Sequence, residues 1–185
     1  MEQELARAER IAAGDRTAFK ELFDEYNAEI VNLCYAMIRN KPDAEDIAQE
    51  VFVEVFCSIR SYKGKSKLST WIYRIAVNKS LNFIKKQKVR SLFVRKEKKI
   101  QTDITNIGTD WQLRESQYKT HFDKAISQLP EKQRTAFVLY MYEDLPQKEI
   151  ATIMNCSLPT VEVSIHRARK FIENYIKTFD KELLQ

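Results

Sequence analysis

Glycine and proline are scarce in this sequence, three and four among 185 residues. Set against abundant Leu, Ile, Ala, Glu and Lys, and with no strand-like alternation bounded by turn clusters, that scarcity leaves helix as the expected state almost throughout. Cysteine is scarce too. Cys34, Cys57 and Cys156 are odd in number and scattered, and neither histidine lies at ligand spacing from them, so neither a disulfide framework nor a metal site is expected. They read as small core residues in a reducing cytosol. Long apolar runs are missing as well. Phe137 to Tyr142 is far too short to cross a bilayer, and the opening M-E-Q-E-L-A-R-A-E-R is charged along its length. Membrane insertion and an export signal are therefore not expected, and the chain reads as cytoplasmic.

Acidic residues are absent from one long stretch. Between Val55 and Lys96 there is none, while Arg60, Lys63, Lys65, Lys67, Arg74, Lys79, Lys85, Lys86, Lys88, Arg90, Arg95 and Lys96 contribute twelve positive charges. The whole chain carries only +5, so the remainder, +5 less those twelve, sums to −7. A field concentrated in this way favours a polyanion, nucleic acid being the usual one; the plainer alternative is a solvated face. With 44% apolar residues the chain can bury one moderate core or two small ones, and two are expected.

What is present is most clearly ordered between Gln147 and Lys170. Pro146 suits the start of a helix, and Ile150, Ala151, Ile153 and Met154 mark its buried stripe. Asn155 tolerates the left-handed conformation that often ends a helix, so Asn155-Cys156-Ser157 makes a turn. Ser157 then caps a second helix whose first turn accepts Pro159. Val161, Ile165 and Ala168 pack one face of that helix, while Thr160, Glu162, Ser164, His166, Arg167 and Lys170 form a polar, cationic comb suited to base edges and phosphates in a major groove. The pattern is a helix-turn-helix; its bland rival is a helical hairpin with a solvated outer face.

Upstream, Gly14-Asp15 separates a helix over Leu5 to Ala13 from a second beginning at Thr17, whose Phe19, Leu22, Phe23, Tyr26, Ile30, Leu33, Cys34 and Met37 make a wide apolar face. Asn40-Lys41-Pro42 breaks the chain, and Asp43 is expected to cap a third helix. There Ala44, Ile47, Ala48, Val51 and Val55 turn inward and Asp43, Asp46, Glu50 and Glu54 outward. With Glu45 these make five carboxylates without a cation among them, which admit a metal or catalytic cluster, but no His or second carboxylate motif converges on them, and a solvated or partner-binding face is the stronger reading.

Arg60 to Asn82 opens as a cationic loop around Gly64, after which Ser69 or Thr70 is expected to cap a helix carrying Trp71, Ile72, Tyr73, Ile75 and Ala76. Aromatics beside cations suit unstacked bases, each stacked base being worth about 1 to 3 kcal/mol; the alternative for Trp71 is simple core packing. Residues 85 to 116 lose the periodicity and read as a basic linker, partly helical or disordered. Beyond it Tyr118 to Gln128 and Pro130 to Tyr142 form helices hinged at Leu129-Pro130, with Phe122, Ile126, Leu129, Phe137, Val138 and Met141 as a small core under the helix-turn-helix.

In order and spacing these segments resemble the compact extracytoplasmic-function sigma factors, initiation subunits of bacterial RNA polymerase. A-G-D-R-T-A-F-K-E-L-F is similar to the family's opening helices, and D-A-E-D-I-A-Q-E-V-F to the segment that docks on the polymerase clamp helices. S-Y-K-G-K-S-K-L-S-T-W-I-Y-R-I-A-V-N resembles the minus-ten recognition and melting segment. L-P-E-K-Q-R-T-A-F-V-L, D-L-P-Q-K-E-I-A and S-L-P-T-V-E-V-S-I-H-R-A-R-K resemble the domain that reads the minus-thirty-five element.

The resemblance implies an all-α chain of two small helical domains, a region-two-like unit over 1–90 and a region-four-like unit over 118–185, joined by a basic flexible linker over 91–117. It implies core-polymerase contacts at Asp43, Asp46, Gln49 and Glu50. Minus-ten contacts fall at Tyr62, Lys63, Lys65, Ser66, Trp71, Arg74 and Asn78, with a non-template base everted into the basic loop. Minus-thirty-five contacts fall at Thr160, Glu162, Val163, Ser164, His166, Arg167 and Lys170. The implied partners are core RNA polymerase and promoter DNA, both duplex and non-template single strand, and the resemblance admits an anti-sigma factor. No catalytic residue, metal or cofactor is required. Lys65 and Lys67 stand where the family often has acidic or neutral residues, Val163-Ser164 where it commonly has Ser-Arg, and Asn155 where Gly is usual. Of two rival classes, an operator-binding regulator leaves Tyr62 to Asn78 without a role, and a DNA-processing enzyme needs more than the isolated Asp43, Asp46 and Glu50.

Overall fold

The computed structural model describes residues 2–93 and 110–183, with side chains described over 2–90 and 117–179. Every long element among them is helical: α1 (Glu2–Ala12), α2 (Arg16–Ile38), α3 (Lys41–Ser58), α4 (Leu68–Phe93), α5 (Asp110–Gln128), α6 (Glu131–Met141), α7 (Gln147–Met154) and α8 (Leu158–Leu183), with one 3-10 turn at Ile59–Ser61.

In the first bundle α2, α3 and α4 pack on one another, and α1 lies across the 3-10 turn and α2. Leu22, Ile30, Leu33, Met37, Val51, Val55, Leu68 and Ile72 fill its core. The helix starts are chemically legible. Asp15 caps α2, accepting from Ala18 N at 3.0 Å, and that bond together with the Arg10 guanidinium at 2.6 Å holds its carboxyl below the ordinary range. For α3 the cap is Asn40, whose Oδ1 accepts from Asp43 N at 3.1 Å. Asp43, the expected cap, instead sits inside the first turn, because Pro42 is tolerated there and lets the helix begin earlier.

The start of α4 also differs from expectation. It begins at Leu68, so Ser69 and Thr70 lie within its first turn; the Leu68 N–H donates to Glu4 Oε1 of α1 at 3.1 Å. At its other end α4 runs unbroken to Phe93, since the Lys and Gln residues after Ile84 keep helix propensity without needing a buried stripe. α5 likewise begins at Asp110, inside the expected linker, and only residues 94–109 of that linker lie outside the described residues.

In the second bundle α8 packs against α5, α6 and α7. Ile126, Leu129, Val138, Leu139, Ile150, Val161, Ile165 and Ala168 are buried there. Met141, expected in this core, stands at the last residue of α6 and is 51% exposed.

The two bundles touch, α4 against α7 and α2 against α6. Arg39, left-handed at the end of α2 with φ 61°, directs its guanidinium to Asp123 Oδ1 at 2.7 Å and Tyr142 Oη at 2.8 Å, 5.2 Å from the Tyr142 ring centre. Arg134, buried in α6, donates to the Met37 carbonyl at 3.4 Å and to the carbonyls of Ser127 and Leu129. Tyr73 Oη lies 2.7 Å from Glu29 of the first bundle and 3.5 Å from Glu143 of the second.

Candidate nucleic-acid and polymerase interfaces

Asn155 makes the corner of the helix-turn-helix. At φ 48° and ψ 52° its N–H reaches the Ala151 and Thr152 carbonyls, and Cys156 N bonds Ala151 O at 3.0 Å. Ser157 Oγ meets Thr160 Oγ1 at 2.8 Å at the opening of α8. Val161, Ile165 and Ala168 are buried as the spacing predicts. Glu162, Val163, His166, Arg167 and Lys170 are exposed and Thr160 is half-buried. Ser164 departs from the expected set: it is 7% exposed, with its hydroxyl turned back onto the Thr160 carbonyl at 2.6 Å. Val163 and Arg167 border an open groove of about 730 Å³ whose opposite wall is Pro130, Glu131, Lys132 and Gln133. Lys132, a cation across the groove from α8, joins these candidates; no sequence signal marks it, since it lies outside the helix-turn-helix and carries no motif of its own.

On α3, Asp46, Gln49 and Glu50 are exposed, while Asp43 is half-buried with Gln87 Nε2 3.5 Å from its carboxylate. The acidic face has a cation after all. Lys79 of α4 places Nζ 3.6 Å from Glu50 and 3.8 Å from Glu54, a neutralisation that only the packing of α4 on α3 brings about. Beside the carboxylates stand two exposed apolar residues, Val53 at 64% and Phe56 at 49%, the Phe56 ring edge-on to Phe19. Their signal in the sequence is the run V-F-V-E-V-F, more apolar surface than one helix face can bury.

The basic loop is built around Tyr62. Expected to meet a base directly, this ring is 5% exposed, sits 5.8 Å from the Trp71 ring and donates its hydroxyl to the Ser66 carbonyl at 2.7 Å. Burial, with the Glu4 charge adding to it, pushes the phenol above its ordinary pKa. Tyr62 is thus the inner wall that closes the loop. Gly64, at φ 65°, supplies the left-handed residue the closure requires, and Lys63 and Lys65 project outward. Trp71 and Arg74 are half-buried and Asn78 is exposed.

Arg74 and Asn78 line a cleft of about 450 Å³ shared with Glu131, Lys132, Ile153 and Asn155 of the second bundle, and Arg74 Nη2 donates to the Thr152 carbonyl at 2.5 Å. Lys67 pairs with Glu149 at 2.5 Å and Lys85 with Glu131 at 3.3 Å. Of the cysteines, Cys34 is buried, its thiol pushed up to about 11 by desolvation, and Cys156 is half-buried. Cys57, expected in the core, is exposed, two positions past Val55, the last buried residue of α3. Among the described residues no cluster of three or more His, Cys, Asp or Glu is arranged to hold a metal, and no helix is long and apolar enough to cross a membrane.

Two family models match this chain: Sigma-70 region 2 over residues 22–90 and Sigma-70, region 4 over residues 121–172. The chain is 33% identical over 178 residues to the ECF RNA polymerase sigma factor SigW of Bacillus subtilis (strain 168), covering 92% of this chain and 95% of that one. To the ECF RNA polymerase sigma-E factor of Haemophilus influenzae it is 34% identical over 182 residues, covering 93% and 94%. Among solved structures, CnrH in complex with the cytosolic domain of CnrY superposes with a TM-score of 0.69 at 19% identity, covering 95% of this chain and 97% of that one. The sigma factor RpoE of Bartonella quintana, in complex with the anti-sigma factor NepR, gives 0.64 at 21% identity, covering 86% and 96%. At those identities the two structures share the fold.

Proposed function

The chain belongs to the extracytoplasmic-function sigma factors of bacterial RNA polymerase, a promoter-directing family, and from that premise we propose how its surfaces divide the work. Residues 1–90 bind core polymerase and open the minus-ten region, residues 118–185 read the minus-thirty-five element, and the segment between them links the two. On α3 the face of Asp46, Gln49 and Glu50 docks on core enzyme, with Asp43 at its margin. The non-template strand runs over Lys63, Lys65 and Ser66 toward Trp71, Arg74 and Asn78, with Tyr62 as the wall behind it. Thr160, Glu162, Val163, His166, Arg167 and Lys170 face the major groove.

The observation that carries this reading is the succession along one all-α chain of an exposed acidic helix, a closed cationic loop and a capped helix-turn-helix. Melting then needs no bond chemistry from this chain. Extruding a base costs a few kcal/mol of stacking and pairing, and a preformed pocket that holds the base offsets that cost. The chain acts beside a cytoplasmic polymerase and catalyses nothing itself. An anti-sigma partner, of the kind RpoE binds as NepR, belongs to the same proposal.

The test is reconstituted transcription: purified chain and core polymerase on fragments of the host genome. Transcripts that start at discrete sites only when both proteins are present are the expected result. Duplex binding and repression by the chain alone would favour the regulator, and metal-dependent cleavage the enzyme.

A further inference from the structure

The loop proposed to capture the strand is held from behind by α1, to which no polymerase or DNA contact of its own has been assigned. α1 touches it at three points. Arg60 Nη2 donates to the Ala12 carbonyl at 3.2 Å. A Cβ on Gly64 would lie 3.8 Å from Leu5 Cδ1, so the tip of the loop rests against that side chain. Glu4 Oε1 accepts from Leu68 N at 3.1 Å. The last contact is chemically the most telling. The first N–H groups of α4 need acceptors, and the side chain of the residue just before the helix, Lys67, has none to offer; Ser69 and Thr70 already lie inside the first turn. A carboxylate from 64 residues away fills the place a local cap would take, at the positive end of the helix dipole.

We propose that α1 positions the strand-capturing loop, with Glu4 as the positioning residue that fixes where the loop ends and α4 begins. The inference rests on the capture reading for Lys63, Lys65, Ser66 and Trp71. Those residues lie on both sides of the junction, so fixing Leu68 sets the direction in which the loop cations and the Trp71 ring face one another. The Tyr62 bond to the Ser66 carbonyl closes the loop upon itself, and the Glu4 bond anchors that closed loop to the bundle. A pocket held in its binding shape loses less conformational freedom on capture.

The experiment uses full-length protein with core polymerase on a promoter it serves, reading permanganate reactivity of minus-ten thymines on intact duplex and on a pre-melted bubble. Glu4→Ala is expected to lower reactivity on duplex about fivefold, the population change that loss of one capping bond produces, and to match the parent on the bubble. Glu4→Gln, which keeps an oxygen for Leu68 N–H, should restore most of the duplex signal, and both variants should co-purify with core as the parent does. A Lys63→Ala, Ser66→Ala double variant separates the layers of the argument. If it loses duplex opening while Glu4→Ala does not, the positioning role is overturned and capture stands. If neither loses it, capture falls and this inference with it. Equal losses for Glu4→Ala on duplex and bubble, with a lowered melting temperature, would reduce Glu4 to a structural residue and overturn the proposal.

Discussion

Arg167 and Ser164 stand three residues apart on α8 and meet opposite fates. Both border the open groove, but the arginine is exposed, while the serine is buried and bonded to the backbone one turn back. Arg167→Ala should therefore weaken minus-thirty-five recognition, by about 1 to 3 kcal/mol if the guanidinium reads a guanine edge. Ser164→Ala should leave it unchanged. Competition binding of the holoenzyme to promoter duplex measures both, and equal affinities for parent and Arg167→Ala would refute the assignment. A polar residue at helical spacing does not announce its side in the sequence when, like serine, it is small enough to bury and can satisfy itself on its own helix. Tyr62 was hidden for a related reason. An aromatic ring with a polar tip suits either a base or a wall, and only its bond to Ser66 O decides. Tyr62→Phe leaves that carbonyl without its donor and should cost about 1 kcal/mol, read as a lowered melting temperature.

The inward stripes of α2, α3 and α7 follow directly from apolar spacing, because each of these helices has one face on a core and one in water. Their ends were less legible. Asn40 and Asp43 are both good caps, and the choice falls to Asn40 because Pro42 fits a first turn; α4 takes its cap from a helix that sequence proximity cannot reveal. The acidic face of α3 was visible, its counter-ion was not. Since Lys79 already sits against Glu50 and Glu54, the part of the face free to meet a basic partner is centred on Asp46 and Gln49. Charge reversal at Asp46 and Glu50 should weaken binding to core polymerase while helix content, followed by circular dichroism, stays as in the parent. Undiminished co-purification with core would remove α3 from the interface. Val53 and Phe56 extend the same surface with apolar area, so Phe56→Ser should add to the loss without unfolding a residue that is already half in solvent.

In the whole molecule the charge asymmetry is partly answered from within, first-bundle cations Lys67 and Lys85 meeting second-bundle acids Glu149 and Glu131. Composition showed the asymmetry; only the packing shows which charges meet. On the proposed division of the promoter between the two domains, this arrangement and promoter reading exclude each other. Elements centred at minus ten and minus thirty-five are separated by about 25 base pairs, or about 85 Å of duplex, whereas here the two domains are in side-chain contact. The domains must therefore part, and Glu143 makes that parting sensitive to pH. Its carboxyl lies in a cleft of about 410 Å³ with Glu29, Asn32, Tyr35, Tyr73, Tyr142 and Asp144. Burial first, and then the charge of Glu29, push it up from 4.5 to about 7, against the smaller opposing effect of the Tyr73 hydroxyl. Once the domains separate, the carboxyl returns to water and its ordinary value. The closed form thus binds a proton that the open form releases. Its contribution to closure is complete below about 4.5, falls as the pH rises through the window to about 7, and is gone above it. Small-angle scattering in dilute salt should find the parent compact at mildly acid pH and more extended at mildly alkaline pH. Glu143→Gln, neutral throughout, should stay compact across the range. Glu29→Gln, which removes the charge that helps raise Glu143, should shift the transition to lower pH. Coincident profiles for the parent and Glu143→Gln would show that closure answers to another group.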